Sequence, residues 1–204
     1  MVAGLSGAAR ADVVFDFEEL AGNSDPRAGD FRVLNLEAGG LFAVVQRTTN
    51  ERFTVWDSAG QNVPSAWGAK HLSPVFDLLR NDYMQMSFSQ GLRSVRIEFG
   101  DYGQDHDLAE LWAYSEINLG GGLLGVVTGE MGDNDMRWDD PTGVTLFAPA
   151  GELIWSVKFR GGQDPFFQST FIDNIVVDVV PAPGALGVIG GACAVAAGRV
   201  RRRR

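Results

Sequence analysis

Apolar and polar residues alternate with a period of two in short runs along most of the chain, the pattern of a half-buried β-strand. "VVFDF" (Val13 to Phe17) is the first such run. "FRVLNL" (Phe31 to Leu36) and "LFAVVQ" (Leu41 to Gln46) follow, joined by Glu37-Ala38-Gly39-Gly40, a hairpin signal. Further runs are "RFTVWD" (Arg52 to Asp57), "YMQMSFS" (Tyr83 to Ser89), "LRSVRIEF" (Leu92 to Phe99) and "LAELWAY" (Leu108 to Tyr114). "LLGVVTG" (Leu123 to Gly129), "GVTLFA" (Gly143 to Ala148), "ELIWSVKFR" (Glu152 to Arg160) and "FIDNIVVDV" (Phe171 to Val179) complete the set. In "LRSVRIEF", Val95, Ile97 and Phe99 face one way and Ser94, Arg96 and Glu98 the other. Only "SPVFDLLRND" (Ser73 to Asp82) suggests a helical turn. About ten or eleven strands with turns between them predict an all-β, antiparallel β-sandwich or jelly roll. The lack of strand–helix alternation argues against a doubly wound sheet.

The chain has 204 residues, enough for one cored domain and a tail, and its 26 glycines suit a fold with many turns. Charge is distributed unevenly. Six of the 17 basic residues lie at the two ends, as Arg10, Arg199 and Arg201 to Arg204. All 26 acidic residues lie between Asp12 and Asp178, against 11 bases there, a net charge of −15 for the body. Such a body repels nucleic acid and anionic lipid. The single cysteine, Cys193, is in the tail, so the body holds no disulfide and no cysteine metal site.

The chain closes with "VVPAPGALGVIGGACAVAAGRVRRRR". The fifteen residues from Gly184 to Gly198 are all Gly, Ala, Leu, Val, Ile or Cys, and a basic block follows. With Pro181 to Pro183 and snorkelling from Arg199, this stretch comes near the lower limit for a membrane span. The arginines would stay on the cytoplasmic side. A core helix would not end in four arginines and would show an amphipathic face. The three-part tail resembles the PEP-CTERM sorting signal of Gram-negative bacteria, with the motif at Val180, Pro181, Ala182, Pro183 and Gly184. Ala182 stands where the family name implies Glu. The resemblance implies an exosortase as partner, transient anchoring in the inner membrane by a C-terminal hydrophobic helix, and delivery to the cell envelope or surface. An export signal should then precede the body. Ala9-Arg10-Ala11 fits a signal-peptidase site that would leave Asp12 first. Residues 1–11 are too few for a whole signal, so we expect an upstream start. The expected organisation is the end of an export signal at 1–11, a β-sandwich at 12–179 and a sorting tail at 180–204.

The body also resembles lectin-like and carbohydrate-binding jelly rolls, through "SFSQGLRSVRIEFGDYGQDHDLAELWAYS" (Ser87 to Ser115) and "STFIDNIVV" (Ser169 to Val177). By parity Asp173 shares a face with Phe171, Ile175 and Val177, and a charge on an apolar face needs a partner. A buried, hydrogen-bonded Asp would meet that need. The resemblance instead implies a structural calcium shared with a carboxylate of the first strand, Glu18, or Glu19 by parity with Phe17. A second carboxylate set, Asp101, Asp105 and Asp107, lies in the turn "GDYGQDHD", and a third, Asp133, Asp135, Asp139 and Asp140, in "GDNDMRWDD". Calcium takes six to eight oxygens from loops of this kind, but neither loop has the EF-hand pattern, and solvated turns with Asx-turns are the simpler account of both sets, the third above all. Sugars bind by stacking on exposed aromatic rings. Trp67 and Trp138, in polar loop contexts, are the candidate platforms, while Trp112 and Trp155 read as core residues on strands.

His71 and His106 are the only histidines, and no catalytic fingerprint is present. We therefore expect a non-enzymatic surface or matrix protein that binds polysaccharide or serves as a structural component. The alternative is a jelly-roll glycoside hydrolase or lyase using paired carboxylates.

Overall fold

The structure, a computed structural model, describes residues 12–22, 29–59, 63, 67–74, 81–103, 107–131, 137–138, 141–162 and 170–180. These contain the strands β1 (Asp12–Phe15), β2 (Val33–Ala38), β3 (Leu41–Arg47), β4 (Thr54–Asp57), β5 (Lys70–Ser73) and β6 (Met84–Gly100). They continue with β7 (Tyr102–Gly103), β8 (Leu108–Tyr114), β9 (Leu123–Glu130), β10 (Arg137–Trp138), β11 (Thr142–Phe147), β12 (Ile154–Gly161) and β13 (Phe171–Val179). One 3₁₀ turn, Ile117–Leu119, is the only helical element among the described residues. The expected all-β, antiparallel architecture is present, with strands at every run read from the alternation. The expected helical turn lies mostly in residues 75–80, and the export-signal remnant and the tail from Pro181 onward lie at the ends; all are outside the described residues. Among the described residues no helix is long and apolar enough to cross a membrane.

The β2–β3 hairpin forms in the predicted register, Ala38 opposite Leu41. Its two-residue turn, Gly39 and Gly40, has φ of 55° and 78°. Both angles are left-handed, as the tight turn matching strand twist requires. A β-carbon at 39 would also meet Val13 Cγ2 at 3.1 Å.

The sequence pattern suggests two strands over Tyr83 to Phe99, but they are one. β6 runs unbroken for 17 residues. Its first part, Met84 to Phe88, lies between β3 and β12. Its second part, from Ser94 to Phe99, lies between β13 and β11. The two sets of strands are therefore parts of one eleven-stranded sheet. One part carries β2, β3, β12, β8 and β9; the other carries β4, β5, β13, β1 and β11. Both turn their apolar residues to a common core. Phe99 of β6 meets Phe159 of β12 with ring centroids 6.3 Å apart, edge to face. Met84, Met86, Phe88, Leu92, Val95, Ile97 and Phe99 of β6 are all buried there. Each such side chain removed from water stabilises the fold by ~1.5–3 kcal/mol.

The core boundary includes a buried ion pair. Arg47, at the end of β3, bonds through Nη2 to the Asp82 carboxylate. Its Nη1 donates to the carbonyls of Arg52 (2.8 Å) and Pro74 (2.9 Å). Thr49 Oγ1 donates to Asp82 Oδ1 at 2.9 Å. The network ties the chain just before β6 to the end of β3. Removing one member of such a pair leaves an uncompensated buried charge, which costs ~3–5 kcal/mol. Asp82→Ala should therefore lower the unfolding free energy in urea by about that amount. A loss below about 1 kcal/mol would mean that the pair is solvated rather than buried.

Candidate functional site

Alternation on three neighbouring strands builds a row of aromatic and charged side chains on the outer side of the sheet. In β8, Ala109, Leu111 and Ala113 are fully buried, so Glu110, Trp112 and Tyr114 point outward and are half-buried. In β12, Val157 and Phe159 point inward and Lys158 and Arg160 outward. Strand pairing places Gln85, Lys158, Trp112 and Val126 in one transverse row. Arg160, Glu110 and Thr128 form the next. Tyr83, just before β6, stands beside both. Its ring meets Trp112 edge to face at 5.2 Å. The Lys158 ammonium sits 4.2 Å from the Tyr83 ring centre and 4.6 Å from that of Trp112. The Arg160 guanidinium lies 4.5 Å from the Tyr83 ring centre, and its Nε donates to Glu110 Oε2 at 2.5 Å. Cation–π attraction holds both positive groups against the rings. Burial, with the nearby Arg160 charge, pushes the Lys158 ammonium below its ordinary pKa; Glu110 pulls the other way.

A loop bounds this face. The 3₁₀ turn folds back over the adjoining row, where Asn118 N–H donates to Ser87 Oγ (3.0 Å) and Leu119 N–H to Ser156 Oγ (3.0 Å). Ser156 Oγ donates in turn to the Glu116 carbonyl at 2.5 Å. Asn118 and Leu119 hold φ of 56° and 60°, left-handed values that are uncommon for residues other than glycine. The hydrogen bonds to the sheet offset that strain.

The expected carboxylate site forms a separate corner. Asp173 is 1% exposed. Its Oδ2 accepts from Gly68 N–H at 2.9 Å. Its Oδ1 is buried and accepts no well-formed hydrogen bond. Glu18 reaches the same place: its Oε1 accepts from Lys70 N–H at 3.0 Å and occupies the space where a side chain at 68 would begin. The Lys70 ammonium donates to the carbonyls of Glu18 (2.9 Å) and Leu20 (2.6 Å). Glu98 adds a third negative charge, its Oε2 accepting from Asn174 Nδ2 at 2.9 Å. Burial is the main reason that the Asp173 carboxyl is raised to about 6; the Gly68 amide opposes it, Glu98 and Glu18 reinforce it, and the Asn174 amide opposes it weakly.

Two parity arguments fail at this corner. A β-bulge separates Ile172, opposite Phe99, from Ile175, opposite Ile97, so Asp173 and Asn174 together face Glu98. Asp173 therefore shares a face with Phe171 and not with Ile175 and Val177, which enter the main core. At the other end, β1 stops at Phe15 and Phe17 takes a left-handed φ of 62°. Strand parity no longer carries past it; Glu19 is exposed, and Glu18 is the carboxylate that approaches.

Trp67 is 5% exposed, too buried to serve as a stacking platform. It packs with Trp56 and Phe171 in a small second cluster against His71, its ring 5.4 Å from the imidazole. Gly100 makes this possible, because a β-carbon there would lie 1.8 Å from the Trp67 ring. Burial pushes His71 down to about 4, against a smaller upward pull from Asp57, so it is neutral at pH 7. Asp101 and Asp107 are buried rather than on a solvated turn, while Asp105 and the side chain of Trp138 lie outside the described residues. The third acidic set, at 133, 135, 139 and 140, lies outside them too, as do His106, Pro181, Ala182, Pro183 and Gly184; Val180 is described, its N–H donating to the Gly91 carbonyl at 3.3 Å. Among the described residues no group of three or more His, Cys, Asp or Glu side chains is arranged to hold a metal. Trp112, Tyr83, Lys158 and Arg160 were not singled out as candidates. Their signal was present, since Glu110 and Lys158 mark the outward parity of β8 and β12.

No protein-family model matches the chain, and no curated protein matches it.

The Asp173 shift has a measurable consequence. The folded state holds this proton more tightly than the unfolded chain does. The contribution to stability is thus fully present below the unfolded value of 3.8 and is lost as pH rises through about 6. In chelator-treated buffer the loss should reach about 3 kcal/mol. Asp173→Asn, which keeps an acceptor for Gly68, should flatten this part of the stability–pH profile and exceed the parent in stability at pH 8. An unchanged slope in the variant would contradict the assignment.

Proposed function

We propose that this chain is an exported protein, sorted by an exosortase-like enzyme to the cell surface or matrix, whose jelly-roll β-sandwich body binds polysaccharide on the outer face of β6, β12 and β8. The observation that carries the binding reading is the Tyr83–Trp112 pair with Lys158, Arg160, Gln85 and Glu110 in the same rows. Sugars present both apolar ring faces and hydroxyls, and sites that bind them combine aromatic surface with fixed polar groups. The loop through Ile117–Leu119 gives the face an edge, which limits how a chain can lie across it. The single long strand common to both parts of the sheet supports a sandwich, and the tail at 180–204 supports export and sorting. Glu110 is the one carboxylate in the Lys158 and Arg160 rows among the described residues, and it is bonded to Arg160. That favours binding over hydrolysis, which uses two carboxylates flanking the scissile bond.

A structural calcium at Asp173 is part of this proposal. The buried Oδ1 of Asp173 and the Glu18 and Glu98 charges beside it favour a cation; these three carboxylates are not arranged as a metal site as they stand, so calcium would draw them together and take its remaining oxygens from elsewhere.

Two outcomes are expected. In gels containing soluble polysaccharides, Trp112→Ala should lose about tenfold or more in affinity. Phe147→Ala, at a side chain 69% exposed on β11, should bind as the parent does. Equal loss in both, or none in either, would remove the face from the account. Separately, millimolar calcium should raise the melting temperature of the parent by several degrees and leave that of Asp173→Ala unmoved. No shift in the parent would remove calcium.

A further inference from the structure

We infer that the saccharide bound on this face is anionic, its carboxylate or sulfate held by the Lys158 ammonium and the Arg160 guanidinium. The inference rests on the polysaccharide-binding reading of the same face. It comes from the contrast between the site and the rest of the body. From Asp12 to Asp178 the chain has 26 acids and 11 bases. An anion is therefore repelled over most of the surface. Two of those few bases stand two residues apart on β12 and project from one side of the sheet.

Their placement suits an anion better than a neutral sugar. Lys158 sits over both aromatic rings and Arg160 over one, so both charges are held in place before a ligand arrives. Glu110 bonds Arg160 at Nε, which orients the guanidinium and, among the described residues, leaves its terminal nitrogens for another acceptor. Among the described residues, one carboxylate against two cations leaves a net positive charge in these rows. Partial burial and mutual repulsion make the Lys158 charge costly when the face is empty, and an oxyanion beside it would relieve that cost.

The test is affinity electrophoresis of the full chain in gels containing polygalacturonate, dextran sulfate or neutral dextran at low salt. We expect one of the anionic polymers to bind at least tenfold more tightly than dextran, and which one it is identifies the oxyanion. Lys158→Met and Arg160→Gln should each weaken that binding by about tenfold, the scale of one charge-assisted hydrogen bond. Lys158→Arg should retain it, and an unchanged melting temperature shows that each variant is folded. Dextran bound as tightly as the anionic polymers would overturn the inference while leaving the polysaccharide reading standing. Anionic binding unaffected by both charge-removing variants would overturn the assignment to these residues. No binding to any polymer would overturn both readings.

Discussion

The fold depends on one strand serving two sets of partners. β6 bonds to β3 and β12 over its first part and to β13 and β11 over its second. Its inward side chains are buried along the whole length. Among the described residues no other strand is paired with four neighbours. The two parts of the sheet are therefore coupled through a continuous backbone, not only through side-chain contact. Displacing β6 would expose both sets of strands, so this strand sets the geometry of each.

The outer faces inherit that geometry. Where β6 is flanked by β3 and β12, its outward side chains Gln85 and Ser87 enter the rows that hold Lys158, Trp112 and the 3₁₀ turn. Where it is flanked by β13, its outward positions Glu98 and Gly100 meet the Asp173 corner and the Trp67 cluster. One strand thus positions a charged aromatic surface near one end and a buried carboxylate near the other. The two corners differ in chemistry. The first is open and holds cations against rings; the second is closed and holds carboxylates against backbone amides and Lys70.

Local pattern reveals what depends on neighbours in sequence. The Gly39-Gly40 turn, the inward set Val95, Ile97 and Phe99, and the strand at "LAELWAY" were all legible. The same alternation points Trp112 outward, because Leu111 and Ala113 are apolar while Glu110 is charged, yet Trp112 reads as a core residue on composition. The preference of tryptophan for cores obscured its outward direction. What failed depends on distant partners. The burial of Trp67 requires the missing side chain at Gly100 and the ring of Phe171. The face of Asp173 depends on a bulge set by its pairing with β6. The continuity of β6 through Gln90 and Gly91 depends on strands distant in sequence, since just beyond them Leu92 pairs with both Val179 of β13 and Ile154 of β12. Alternation within one run carries none of this information.

The central claim is that ligand binds on the rows shared by β6, β12 and β8 and not at the Asp173 corner. Amide chemical-shift mapping during titration with an acidic oligosaccharide tests it most directly. The account predicts shifts at Gln85, Trp112, Lys158 and Arg160, with Gly68, Asp173 and Asn174 unmoved. Shifts confined to the Asp173 corner or to β11 would contradict it.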